Sequence, residues 1–241
     1  LAKYSENPEV ISIMSTLNLL AFLLGGLAGL CMEEISIYLI NKRVTEPITL
    51  KFSGSIGKSL SWIAAGAFSW FFVVYINGLN LKTVEILLLL SVCIVLSVVD
   101  ITIRKIPNAL VLLALVTGYV FPVLYGDNTD IKFKLFGLFI GLAVFMLPMF
   151  FGKLVGMGDV KFAAAVGFCL GVYGFLISMI LMSVVLVAYT IYLYATGKGT
   201  VKSKIALGPF LAFGFVSVIL LKMLNENYTF LDFIMNRLYL G

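Results

Sequence analysis

Two acids stand where acids are costly. Asp159 belongs to Gly156-Met157-Gly158-Asp159-Val160-Lys161, between two long apolar runs. Asp100 ends the apolar run 87–99 and is followed by Arg104-Lys105-Ile106-Pro107-Asn108. An Asp at the centre of a membrane helix costs about 2.5–3.5 kcal/mol on insertion scales, so a chain that keeps such residues usually has a use for them. Two carboxylates sharing a site cannot both ionise easily, and one keeps a proton while the other accepts one. The ionised member can draw a proton from a water while the protonated member donates to the carbonyl oxygen of the bond under attack. That chemistry needs no metal, nucleophilic side chain or cofactor, which suits a chain with no histidine. The same absence removes Ser-His and Cys-His nucleophiles and HExxH zinc sites.

Each motif also has a plainer reading. Gly156 and Gly158 permit tight backbone and close approach, and an Asp159 that caps a helix opening at Val160 would meet free N–H groups there. Asp100 lies four residues before Arg104, the spacing of a helical ion pair at a membrane boundary. Ile106-Pro107-Asn108 marks a break, because a residue before proline is pushed out of helical geometry. The three cysteines, Cys31, Cys93 and Cys169, lie far apart inside apolar runs with no CxxC pair. They read as small apolar filler, not as a zinc knuckle or disulfide framework.

The elements that must position the acids are membrane helices. Of 241 residues, 61% are hydrophobic and only 12% charged, and mean hydropathy is +1.10. No soluble domain can hide that much apolar surface, so the expectation is one all-α polytopic membrane domain, 1–241. The net charge of +5 reflects topology and not nucleic acid. Residues 3–9 lack the basic region and cleavage site of a signal peptide. Because the chain opens on Leu, a few leading residues are expected to be trimmed. About eight transmembrane helices are expected, at 17–40, 56–76, 84–103, 106–125, 135–151, 160–173, 175–194 and 205–221. Segments six and seven are kept apart because together they far exceed the bilayer core, and Gly171 and Gly174 offer a turn. The connections after odd-numbered segments carry eleven Lys and Arg and the opposite side six. By the positive-inside bias the first set is cytoplasmic and both termini lie on the non-cytoplasmic side. Asp100 and Asp159 then both face the cytoplasmic side, which the segment assignment did not require. The stretch 225–241 mixes aromatics and Leu with polar residues and suits a short interfacial helix.

With these residues in view, the chain resembles the type IV prepilin peptidase and preflagellin peptidase family, intramembrane aspartyl proteases of the GxGD type. The resemblance rests on Asp100 with Arg104-Lys105-Ile106-Pro107-Asn108, on Gly156 to Lys161, and on a third stretch, 204–214, that contains Gly208-Pro209-Phe210. It covers roughly 84–221, the expected peptidase core. It implies cleavage of a short basic leader from prepilin-like or pseudopilin precursors, after a Gly and before a hydrophobic helix, at the cytoplasmic face of the cell membrane. It matches Asp100 and Asp159 to the catalytic pair. Lys161 matches the basic residue after the GxGD acid, with lipid-headgroup contact as its plainer role. Gly156, Gly158, Pro107, Asn108 and Pro209 would support the site, although Pro209 equally suits a helix start.

The front of the chain departs from that pattern. Many bacterial members carry two CxxC pairs in the first cytoplasmic loop and N-methylate the new terminus with S-adenosylmethionine. The loop 41–58 here holds no cysteine. No metal is expected, no cofactor is expected for proteolysis, and S-adenosylmethionine enters only if a methyltransferase activity is present. Glu33 and Glu34 read as interfacial acids or as the wall of a substrate pocket. The alternative function is a proton-coupled transporter using the two acids as a relay, although the inverted repeats of many carriers are not evident. A peptidase would cut a leader-bearing peptide in detergent; a transporter would need two compartments.

Overall fold

A computed structural model describes residues 8–43, 56–126, 130–150, 156–197 and 205–227. In lipid a backbone must satisfy its own hydrogen bonds, and these apolar runs do so as helices. The helices are α1 (Pro8–Asn41), α2 (Ile56–Asn77), α3 (Leu81–Ile103), α4 (Asn108–Leu124), α5 (Ile131–Phe150), α6 (Met157–Ala195) and α7 (Gly208–Asn227). Five of them, α1, α2, α3, α5 and α6, contain stretches long and apolar enough to cross a bilayer; α4 and the apolar part of α7 are shorter. The chain is a multi-pass helical membrane protein. Most of the loop 41–58, much of the turn 126–130, Lys204 of the third motif and most of 225–241 lie outside the described residues.

Seven helices are found among the described residues where about eight segments were expected, and the difference lies at Gly171. Segments six and seven form α6, a single run of 39 residues interrupted at Gly171, whose φ of 70° and ψ of −178° belong to glycine alone. Along a straight helix Phe162 and Met182 would be about 30 Å apart at 1.5 Å per residue. Yet Phe162 meets Phe215 edge-on, and a Cβ on the neighbouring Gly214 would lie 3.2 Å from Met182. Farther along, Tyr189 packs on Phe210, while Lys222 reaches back to Leu170. The two halves of α6 therefore double back on one another beside α7.

Packing is closest where glycines face each other. A side chain on Gly29 would strike the Trp62 carbonyl, which seats α1 on α2. Gly137 and Gly167 do the same for α5 and α6, each backed by the other's carbonyl. Lipid tails are as apolar as leucine, so close backbone approach and dispersion hold such helices together more than burial from water does. α3 runs through the middle, touching α1, α2, α4 and α7. Around it Leu96, Val99, Phe162, Phe175, Leu211 and Phe215 are fully buried.

Candidate active site

Helix ends from five elements converge at one end of the bundle. Asp100 lies in the last turn of α3, only 4% exposed. The ion pair that its spacing to Arg104 allows does not form. Arg104 instead ends α3 in the left-handed conformation (φ 51°, ψ 40°), with its backbone N–H on the Asp100 carbonyl at 2.8 Å. That turn releases the chain into a short linker, and the buried Pro107 then starts α4 with Asn108 as its first residue. The Asp100 side chain finds another partner. Its Oδ2 accepts a hydrogen bond from the Gly208 N–H at 2.9 Å, at the opening of α7. The first N–H groups of a helix have no partner within it, so the start of α7 is a natural seat for a carboxylate.

Asp159 was expected to cap a helix opening at Val160. The helix instead opens at Met157 with Gly156 as its cap residue, which places Asp159 in the first turn. An acid there is favoured by the positive end of the helix. Neither Gly156 nor Gly158 uses a positive φ; both are needed for room. A Cβ on Gly156 would lie 2.7 Å from Asp159 Oδ2, so the carboxylate folds back over its own cap residue. A Cβ on Gly158 would lie 2.9 Å from the Ile106 Cβ, so this glycine lets α6 start against the linker that leaves Asp100. Asp159 Oδ1 is buried with no hydrogen-bond partner among the described residues. The contact of Gly158 with Ile106 sets the first turn of α6, which carries Asp159, against the linker that follows Asp100.

The supporting residues gather at the same place. Lys161 Nζ donates to Asn108 Oδ1 at 3.3 Å, tying α6 to α4 across the linker, and both residues are exposed. Arg43, just past the end of α1, reaches the Ile106 carbonyl at 3.5 Å. Pro209 follows Gly208 in the first turn of α7, where its missing N–H costs nothing. Glu33 is buried and accepts from Ser59 Oγ at 3.1 Å, joining α1 to α2, whereas Glu34 is exposed.

Gly208 is the residue that sequence reasoning left out of the site. It was visible within the third motif, but only as a neighbour of Pro209. The available signal was a small residue at a helix start, in a motif that accompanies the two acids. Chemically, the arrangement offers a buried carboxylate fixed by a backbone amide and a second, half-buried one whose Oδ1 is unengaged among the described residues.

Residues 87–191 match the type IV leader peptidase family. The matched stretch holds both acids and stops short of Gly208. No curated protein and no solved structure matches the chain.

Proposed function

We propose, from the match of residues 87–191 to the type IV leader peptidase family, that the chain is a member of that family and an intramembrane aspartyl endopeptidase whose catalytic pair is Asp100 and Asp159. Its substrates are type IV prepilin-like or pseudopilin precursors, cut on the C-terminal side of their short basic leader at the cytoplasmic face of the plasma membrane. The chain crosses the bilayer eight times, with the doubling-back of α6 at Gly171 supplying the additional crossing, and both termini lie outside. The observation that carries the reading is the convergence of two acids from separate helices on one sheltered spot, one of them held by the Gly208 amide.

The chemistry follows from one proton shared by the pair. The ionised carboxylate takes a proton from a water as its oxygen attacks the scissile carbonyl carbon. The protonated carboxyl gives its proton to the carbonyl oxygen, so a neutral tetrahedral diol forms without a buried full charge. In collapse, the diol returns a proton to one carboxylate, the C–N bond breaks, and the other carboxyl protonates the leaving amine. The Gly208 N–H fixes the orientation of Asp100 throughout. Lys161 and Asn108 brace the first turn of α6 against the start of α4, and Pro107 and Pro209 set where α4 and α7 begin. Any N-methylation of the new terminus would require S-adenosylmethionine as donor.

The test is cleavage of a leader-bearing precursor by the purified protein in detergent, with mass spectrometry of the new N-terminus. A cut after the leader and no gradient requirement are expected, and the same spectrum reads any added methyl group. Asp100→Asn and Asp159→Asn should each abolish cleavage while keeping the thermal unfolding midpoint. Cleavage surviving in both variants would remove the pair from the mechanism.

A further inference from the structure

Two basic residues, Lys42 and Arg43, follow the end of α1, and they point in different directions. Lys42 lies over the exposed ring of Tyr38, 5.8 Å from its centre. Arg43 turns toward the acids. Its backbone N–H closes a turn on the Ile40 carbonyl at 2.9 Å, and Ile40 is fully buried in the same core as Val99 and Ile106. From that anchored base the guanidinium donates to the Ile106 carbonyl at 3.5 Å.

That carbonyl is not served by its own neighbours. The amides of Leu110 and Val111, which could reach back from α4, both go to the Pro107 carbonyl instead. Among the described residues Arg43 is the one donor to the Ile106 oxygen. A guanidinium on a carbonyl makes a charge-assisted bond, and its rigid fork gives up little freedom to form it.

The other side of Ile106 makes the bond consequential. Ile106 is buried, Pro107 beside it fully so, and a Cβ on Gly158 would lie 2.9 Å from the Ile106 Cβ. Ile106 is thus wedged against the first turn of α6, which carries Asp159. Upstream, the left-handed Arg104 joins the same linker to the last turn of α3, which carries Asp100. Among the described residues α1 touches α3 but neither α4 nor α6, so its hold on the start of α6 passes through this bond.

We propose that Arg43 is a positioning residue of the peptidase site. From α1 it pins the linker that leaves Asp100, and through the contact of Ile106 with Gly158 it sets where Asp159 stands. The effect on rate rests on the peptidase reading, whereas the pinning of the linker can be measured without it. Displacing a reacting group by about 1 Å can cost on the order of a hundredfold in rate, so even partial release of the linker is readable.

The experiment follows the full chain in detergent by precursor cleavage kinetics and by hydrogen exchange of the segment 104–110 with mass spectrometry. Arg43→Ala should lower kcat at least fivefold with KM within twofold and the thermal midpoint in place. It should also speed exchange across 104–110 at least threefold while exchange in α5 is unchanged. Arg43→Lys keeps a cationic donor and should bring kcat back to within threefold of the parent. Ile106→Ala cuts the same relay at its second contact, so adding Arg43→Ala to it should cost less than a further twofold. If Ile106→Ala fails to fold, Arg43→Lys decides. Parent kcat or unchanged exchange in Arg43→Ala would overturn the proposal, and a loss confined to KM would make Arg43 a contact of the leader instead. A parent that cuts no precursor would sink the peptidase reading, and exchange alone would then decide whether Arg43 holds the linker.

Discussion

The Gly208 N–H donates to Asp100 Oδ2 at 2.9 Å across 108 positions of sequence. This bond joins the first turn of α7 to the last turn of α3, and it fixes one acid of the pair before any substrate arrives. It also explains why position 208 is glycine. A Cβ there would lie 2.7 Å from Asp100 Oδ2 and 3.1 Å from its Cγ, closer than side chains pack.

Gly208→Ala is therefore expected to keep the amide donor but push the Asp100 carboxylate off its seat. Misplacement of a reacting group by about 1 Å can cost on the order of a hundredfold in rate. Precursor cleavage should fall at least tenfold, with the thermal midpoint little changed. A variant that cleaves at the parent rate would show that the glycine serves packing alone.

Lys161 should matter far less than its place beside the GxGD acid suggests. Its ammonium is exposed and makes a 3.3 Å hydrogen bond to the exposed Asn108. Exposed polar links are worth about 0–1 kcal/mol. Lys161→Ala is expected to slow cleavage by roughly two- to fivefold. Complete loss would place the ammonium in contact with substrate instead.

The contrast between these two residues shows what the sequence could and could not convey. The acids were legible because a carboxylate in an apolar run is expensive and therefore conspicuous. The break at Gly171 was legible because a run of 39 residues overshoots the bilayer core. Gly208 was not, since the carboxylate it holds comes from a helix with no local sign of the partnership. The start of α6 was misread by three residues for a related reason: Gly158 looked like a turn residue, yet it is helical and small to admit Ile106. Lys134 and Lys222 looked like topology markers on an outer face, and nothing local says that each serves a carbonyl on another part of the fold.

Gly171 offers a test of backbone geometry free of steric clash. A Cβ there would meet nothing within 4 Å, so any cost of Gly171→Ala comes from φ 70° and ψ −178° alone. Such a conformation costs a non-glycine residue on the order of 1–3 kcal/mol. The substitution should lower the unfolding midpoint in detergent clearly, and residual folded protein should still cleave, since Asp159 lies in the first turn of α6, twelve residues before the break, and Asp100 is on α3. An unchanged midpoint would mean that the reversal does not depend on this residue.

Pro122 and Lys134 should be energetically coupled although they lie on different helices. The proline leaves the Gly118 carbonyl without its helical donor, and the lysine supplies one at 3.1 Å. An unsatisfied buried carbonyl costs about 1–3 kcal/mol, so Lys134→Met should destabilise the protein by an amount in that range. Pro122→Ala restores an N–H to the helix and removes the need for the lysine at that oxygen. In that background Lys134→Met should cost roughly 1 kcal/mol less, a coupling that a double-mutant cycle of unfolding midpoints can resolve. Equal costs in the two backgrounds would show that the ammonium is held by something other than the orphaned carbonyl.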